Sequence, residues 1–120
     1  MIQSRTILGI DPGTNLLGFG IVRVDAAGKA HFVDMGVVDL RKMPDNYEKL
    51  NIIFNKVGAL CDLHHPDDLA IESPFYGRNA QVILKLGRAH GAAMIAALIR
   101  DIPVYEYAPR KVKMAICGNG

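Results

Sequence analysis

The chain has no pair of cysteines that could act together. Cys61 and Cys117 are its only two, they stand far apart, and they form no CxxC. That spacing argues against a zinc knuckle or a disulfide framework and fits reduced thiols in a cytoplasmic protein. No basic segment precedes an apolar run at the N-terminus, so no signal peptide is expected. The longest strongly apolar stretch, residues 91–99, is far shorter than the roughly 20 residues a membrane-spanning helix needs. Charge of one sign is also scarce. A formal net charge of +2 cannot by itself argue for a nucleic-acid partner; only a local cluster could. Internal repeats, low-complexity tracts and linkers are absent.

What is present is enough for one domain. Of 120 residues, 50% are hydrophobic, and a chain this long buries roughly two-thirds of its unfolded surface. The segment that organises the rest is residues 7–13, Ile-Leu-Gly-Ile-Asp-Pro-Gly. It opens as an apolar strand and stops at Asp11, because Pro12 cannot donate to a ladder and Gly13 permits a turn. Asp11 at a rigid strand tip is a candidate metal ligand or base. Alternatively, it only starts a turn, as Asp before Pro or Gly often does.

In chain order, residues 6–11 predict a first strand, 18–24 a second and 30–40 a third, with a Gly-containing hairpin loop over 25–29. Asp45 reads as the N-cap of a helix with Glu48 three residues on. Tyr47, Leu50, Ile53, Phe54, Val57, Leu60 and Cys61 place one face of that helix in the core, and Pro66 ends it near His64 and His65. Residues 68–72, Asp-Leu-Ala-Ile-Glu, predict a fourth strand that closes like the first, on a carboxylate followed by Ser73-Pro74. A strand reached through a helix normally lies parallel in the sheet. Glu72 beside Asp11 would make two repelling carboxylates that a divalent cation relieves, and oxygen-only donors favour Mg²⁺ or Mn²⁺.

Residues 79–100 predict a long helix with Asn79 as N-cap. Ile83, Leu86, His90, Ile95 and Leu98 mark one stripe, while Ala89, Ala92, Ala93, Met94, Ala96 and Ala97 fill most of the remaining surface. A helix apolar nearly all round needs cover on two sides, and a second copy of the chain is the expected second cover, aided by Gly87 and Gly91. His90 is read as a packed or partner-facing histidine rather than a ligand. A fifth strand is expected over 102–107, then a final helix from Pro109. Arg78, Arg110, Lys111 and Lys113 put cations in loops flanking the carboxylates, where they would suit backbone phosphates or form an ordinary solvated face. Phe75 and Tyr76 could stack on bases or anchor their loop.

These residues carry a family resemblance. Residues 9–13 and 18–22, then 70–72, Phe75, Asn79-Ala80, 84–87 and 108–113, resemble RuvC-type Holliday junction resolvases, in the same order and over the whole chain. The shorter Gly-Ile-Asp-x-Gly motif also opens the phosphate hairpin of actin-like ATPases, but those need two such domains. The resemblance implies an α/β, RNase H-like fold: a five-stranded mixed sheet, three antiparallel strands then two parallel, with helices on both faces. It implies a homodimer, joined through the 79–100 helix, that cuts four-way junction DNA symmetrically, with a branch-migration helicase as partner. Asp11 and Glu72 would be catalytic ligands of Mg²⁺, with Mn²⁺ possible, in two-metal phosphodiester hydrolysis that leaves a 5′-phosphate. Phe75 would unstack bases at the crossover, and Arg78, Arg110, Lys111 and Lys113 would hold phosphates.

The family carries a second acidic pair on a C-terminal helix, whereas this sequence ends at Gly120. Residues 1–120 are therefore expected to be a single nuclease domain lacking that helix, to bind Mg²⁺ weakly and to cleave poorly. Glu106 lies mid-strand, an improbable substitute. Two other readings stay open. A ribosomal-RNA processing relative would share Asp11 but not need Phe75, and would prefer structured RNA. A non-catalytic nucleic-acid-binding dimer would stay inactive even with the missing segment restored.

Overall fold

The computed structural model describes residues 3–11, 13–73 and 79–107. In chain order the elements are β1 (Arg5–Asp11), β2 (Leu16–Val24), β3 (Ala30–Asp39), α1 (Asn46–His64), β4 (Asp68–Glu72), α2 (Ala80–Leu98) and β5 (Val104–Tyr107). One sheet holds all five strands in the order β3-β2-β1-β4-β5. β2 runs antiparallel to both β1 and β3, β4 lies parallel to β1, and β5 lies parallel to β4. This is the mixed, RNase H-like sheet that the sequence predicts.

The period-2 alternation of the strands sorts their side chains. Leu8 and Ile10 pair with Leu69 and Ile71 on one side and with Ile21 and Phe19 on the other. The Leu and Ile residues among them are fully buried. They meet Ile53, Val57 and Cys61 of α1 and Ala89, Ala93, Ala96 and Ala97 of α2 in one core, so both described helices serve this face of the sheet. The final helix expected from Pro109, with Cys117, lies outside the described residues.

Local chemistry sets the element ends. The Asp45 carboxylate accepts from the Tyr47 amide at 2.8 Å, the N-cap that the sequence predicts. His65 closes α1 in the left-handed region, its amide bonded to the Cys61 carbonyl at 2.9 Å. Asp25 shapes the 25–29 loop by accepting from the Ala27 and Lys29 amides, with Gly28 at φ 87°.

Four details differ from the sequence expectation. β2 begins at Leu16, because residues 16 and 17 pair with Asp39 and Val38 of β3 beyond the tip of β1. α2 ends at Leu98, where Ile99 and Arg100 turn and Asp101 adopts φ 61°. β5 begins at Val104, since Pro103 has no amide hydrogen, although its carbonyl already accepts from Leu69 at 2.9 Å. The phase of α2 also changes. Its buried face is Leu86, Ala89, His90, Ala93, Ala96 and Ala97, while Leu84, Ile95 and Leu98 are exposed. Small side chains let α2 lie close against α1, its principal neighbour, so the alanines turn inward and the larger residues turn out.

Candidate active site

The register of β1 against β4 decides whether Asp11 and Glu72 meet. Two contacts set it at the end remote from the carboxylates. The Arg5 guanidinium grips the Asp68 carboxylate with bonds of 2.8–3.1 Å. Beside it the Thr6 amide donates to the Asp67 carboxylate, and the Asp67 amide donates to the Thr6 carbonyl. The pairing then runs without a break from Ile7 with Asp68 to Ile10 with Ile71. Asp11 and Glu72 come one residue further along each strand. Neighbouring strands lie about 4.8 Å apart, and laterally paired residues of parallel strands share a face. Since Ile10 and Ile71 point into the core, both carboxylates lie on the opposite face, side by side at one rim. The strand pairing thus brings the two residues to neighbouring strand ends.

Asp11 is exposed and Glu72 half-buried, with one Glu72 oxygen shielded from solvent. Gly18 pairs with Asp11 and so adds no side chain next to it. An open cleft runs past Asp11, bordered by Gly13, Thr14, Asn15, Val37 and, from α2, Val82 and Leu86. The donors at the rim are carboxylate oxygens, the set that suits a hard divalent cation. Among the described residues no cluster of three or more His, Cys, Asp or Glu could hold a metal, so these two carboxylates have no third such group beside them. Glu106 does not join it. It pairs with Ile71, which places it on the core-side face rather than with Glu72.

Phe75, Arg78, Arg110, Lys111 and Lys113 lie outside the described residues. Sequence reasoning passed over two features. One is a recess beside the first strand tip, lined by Gly13, Thr14, Lys49, Lys85, Arg88 and Ala89. Lys85 and Arg88 stand three residues apart on one helical face, a signal that the apolar reading of α2 hid. The Lys49 ammonium also bonds to the Asn15 side chain at 3.3 Å. The other is His90, which is packed as expected but bonds to the main-chain carbonyl of Glu72.

The family model described as crossover junction endodeoxyribonuclease RuvC matches residues 7–120. The RuvC of Christiangramia forsetii is 53% identical over 118 residues, covering 98% of this chain and 61% of that protein. The RuvC of Bacteroides fragilis is 52% identical over 119 residues, covering 99% and 63%. This chain therefore spans about three-fifths of the length of these curated relatives. Among solved structures, Thermus thermophilus RuvC in complex with a Holliday junction substrate superposes with a TM-score of 0.81 at 33% identity, over 93% of this chain and 71% of that one. No described helix is long and apolar enough to cross a membrane. With its sheet order, its paired strand-end carboxylates and these matches in agreement, the chain belongs to the RuvC crossover junction endodeoxyribonuclease family.

Proposed function

We propose that this chain is the carboxylate-bearing part of a structure-selective endonuclease that resolves four-way DNA junctions in recombination and repair in the cytoplasm. The observation that carries the reading is the placement of Asp11 and Glu72 on neighbouring strands, on one face, at one rim. Relatives at 52–53% identity are named for the same activity, which supports it.

In this mechanism Asp11 and Glu72 would hold Mg²⁺, or Mn²⁺ in its place. When bound, the divalent ions supply positive charge that favours deprotonation of the attacking water and stabilises the leaving 3′ oxygen. The rest of the work belongs to the chain. The β1–β4 ladder keeps the two carboxylates at a fixed separation, so little reorganisation is needed when a phosphate arrives. Asp11, at the open cleft, is the ligand nearer to entering DNA. Lys85 and Arg88 line a recess that shares Gly13 and Thr14 with that cleft, well placed for backbone phosphates. Arg78, Arg110, Lys111 and Lys113 are assigned to further phosphates and Phe75 to unstacking a base at the crossover, on their sequence positions. The exposed apolar side of α2 joins two copies, which suits the symmetric cutting of two strands, with a branch-migration helicase as a further partner.

Cleavage of four-way junction DNA in Mg²⁺, measured with the family's C-terminal acidic helix restored, tests the reading. Asp11→Asn and Glu72→Gln are each expected to cut at least about 100-fold more slowly, while still binding the junction. Cutting by Asp11→Asn at the unchanged rate would overturn it.

A further inference from the structure

Among the described residues His90 is the one buried side chain that is polar, at 3% exposure. A buried polar group without a partner costs roughly 1–3 kcal/mol, so the partner that His90 has found is informative. It is the main-chain carbonyl of Glu72. A carbonyl can only accept, which assigns the proton of the imidazole to Nε2. The amide on the other side of the same peptide, that of Ser73, donates to the Tyr107 carbonyl at 2.8 Å. The peptide that follows Glu72 is thus held at both of its polar atoms, by α2 through His90 and by β5 through Tyr107.

That arrangement matters because β4 ends there. Strand ends fray more readily than strand interiors, and the last residue is the one that must aim a carboxylate. Fixing the peptide after Glu72 fixes ψ at Glu72 and with it the direction in which Cβ leaves the backbone. We propose that His90 is a positioning residue: it anchors the Glu72 main chain so that the Glu72 carboxylate stays in register with that of Asp11. The proposal rests on the reading of Asp11 and Glu72 as a cation-holding pair.

The experiment is Mn²⁺ titration followed by the electron paramagnetic resonance signal of the free ion, which requires neither DNA nor turnover. Asp11→Asn is the control. If it binds Mn²⁺ as the unaltered protein does, the carboxylate-pair reading fails, and this proposal fails with it. With that control behaving as a ligand loss, His90→Leu is expected to weaken Mn²⁺ binding about tenfold, the lower end for groups that orient metal ligands. His90→Gln, whose amide N–H can still reach a carbonyl, is expected to restore most of the affinity. Both are measured well below their melting temperatures, where a merely structural loss would leave Mn²⁺ affinity unchanged. Unchanged affinity in His90→Leu would overturn the proposal without touching the carboxylate reading. A second measurement needs no variant: nitrogen-15 NMR of the unaltered protein is expected to show the Nε2–H tautomer at His90, with a slowly exchanging proton. The Nδ1–H tautomer would overturn the proposal as well.

Discussion

At Gly13 a single missing atom shapes the approach to the site. A Cβ added there would collide with the carbonyl oxygen of Leu16, a backbone atom that cannot swing aside. Gly13→Ala is therefore expected to force the 13–16 turn open and to destabilise the fold by about 1–3 kcal/mol, measured by denaturant unfolding. Stability within error of the unaltered protein would show that the turn has slack. Residues of this kind differ in how legible they are from sequence. Asp11 and Glu72 can be read because each closes an apolar run against a strand breaker, and strand termination is local chemistry. The bond of His90 to Glu72 cannot, because it joins positions 18 residues apart through a helix whose phase the sequence leaves ambiguous. Lys85 and Arg88 were hidden for the same reason.

Among the elements, α2 is where sequence pattern and structure diverge most. Large apolar residues usually mark the buried side of a helix, yet here Leu84, Ile95 and Leu98 are each 45–55% exposed while four alanines are buried. Close approach of α2 to α1 selects small residues inside. Added Cβ atoms at Gly87 and Gly91 would meet nothing nearby, so a partner's backbone could come close there. An Ile95→Glu substitution is expected to shift the protein toward monomer in sedimentation equilibrium, with little effect on its melting temperature because the site is half exposed. A strict monomer before any substitution would remove the dimer from the proposed function. The strands were easier to read. Their alternation and their breakers fixed β1 and β4 within one residue, whereas the starts differed by two at β2, which depends on the distant β3 for its first pairs, and at β5, where Pro103 delays the ladder.

For the whole molecule, the ion pairs lie on the surface and tune stability with pH. The Arg41 guanidinium bonded to Asp39 draws that carboxyl from the ordinary 3.8 down to about 2. Arg100 lowers Asp62 in the same way, and His31, with the loop amides, lowers Asp25. A carboxyl depressed by folding stabilises fully above its unfolded pKa and stops doing so as pH falls through its folded one. Thermal melts are accordingly expected to drop between about pH 4 and pH 2, with a shallower drop in Asp39→Asn. A variant whose melts track the parent over that range would assign the acid sensitivity to other groups. The placement of α2 has a wider consequence. One rod shows an apolar outer side at Leu84, Ile95 and Leu98 and, through a single imidazole on its inner side, holds the main chain at the end of β4. Under the proposed function, assembly and chemistry would thus share one beam, and a change made along it would be felt on both sides.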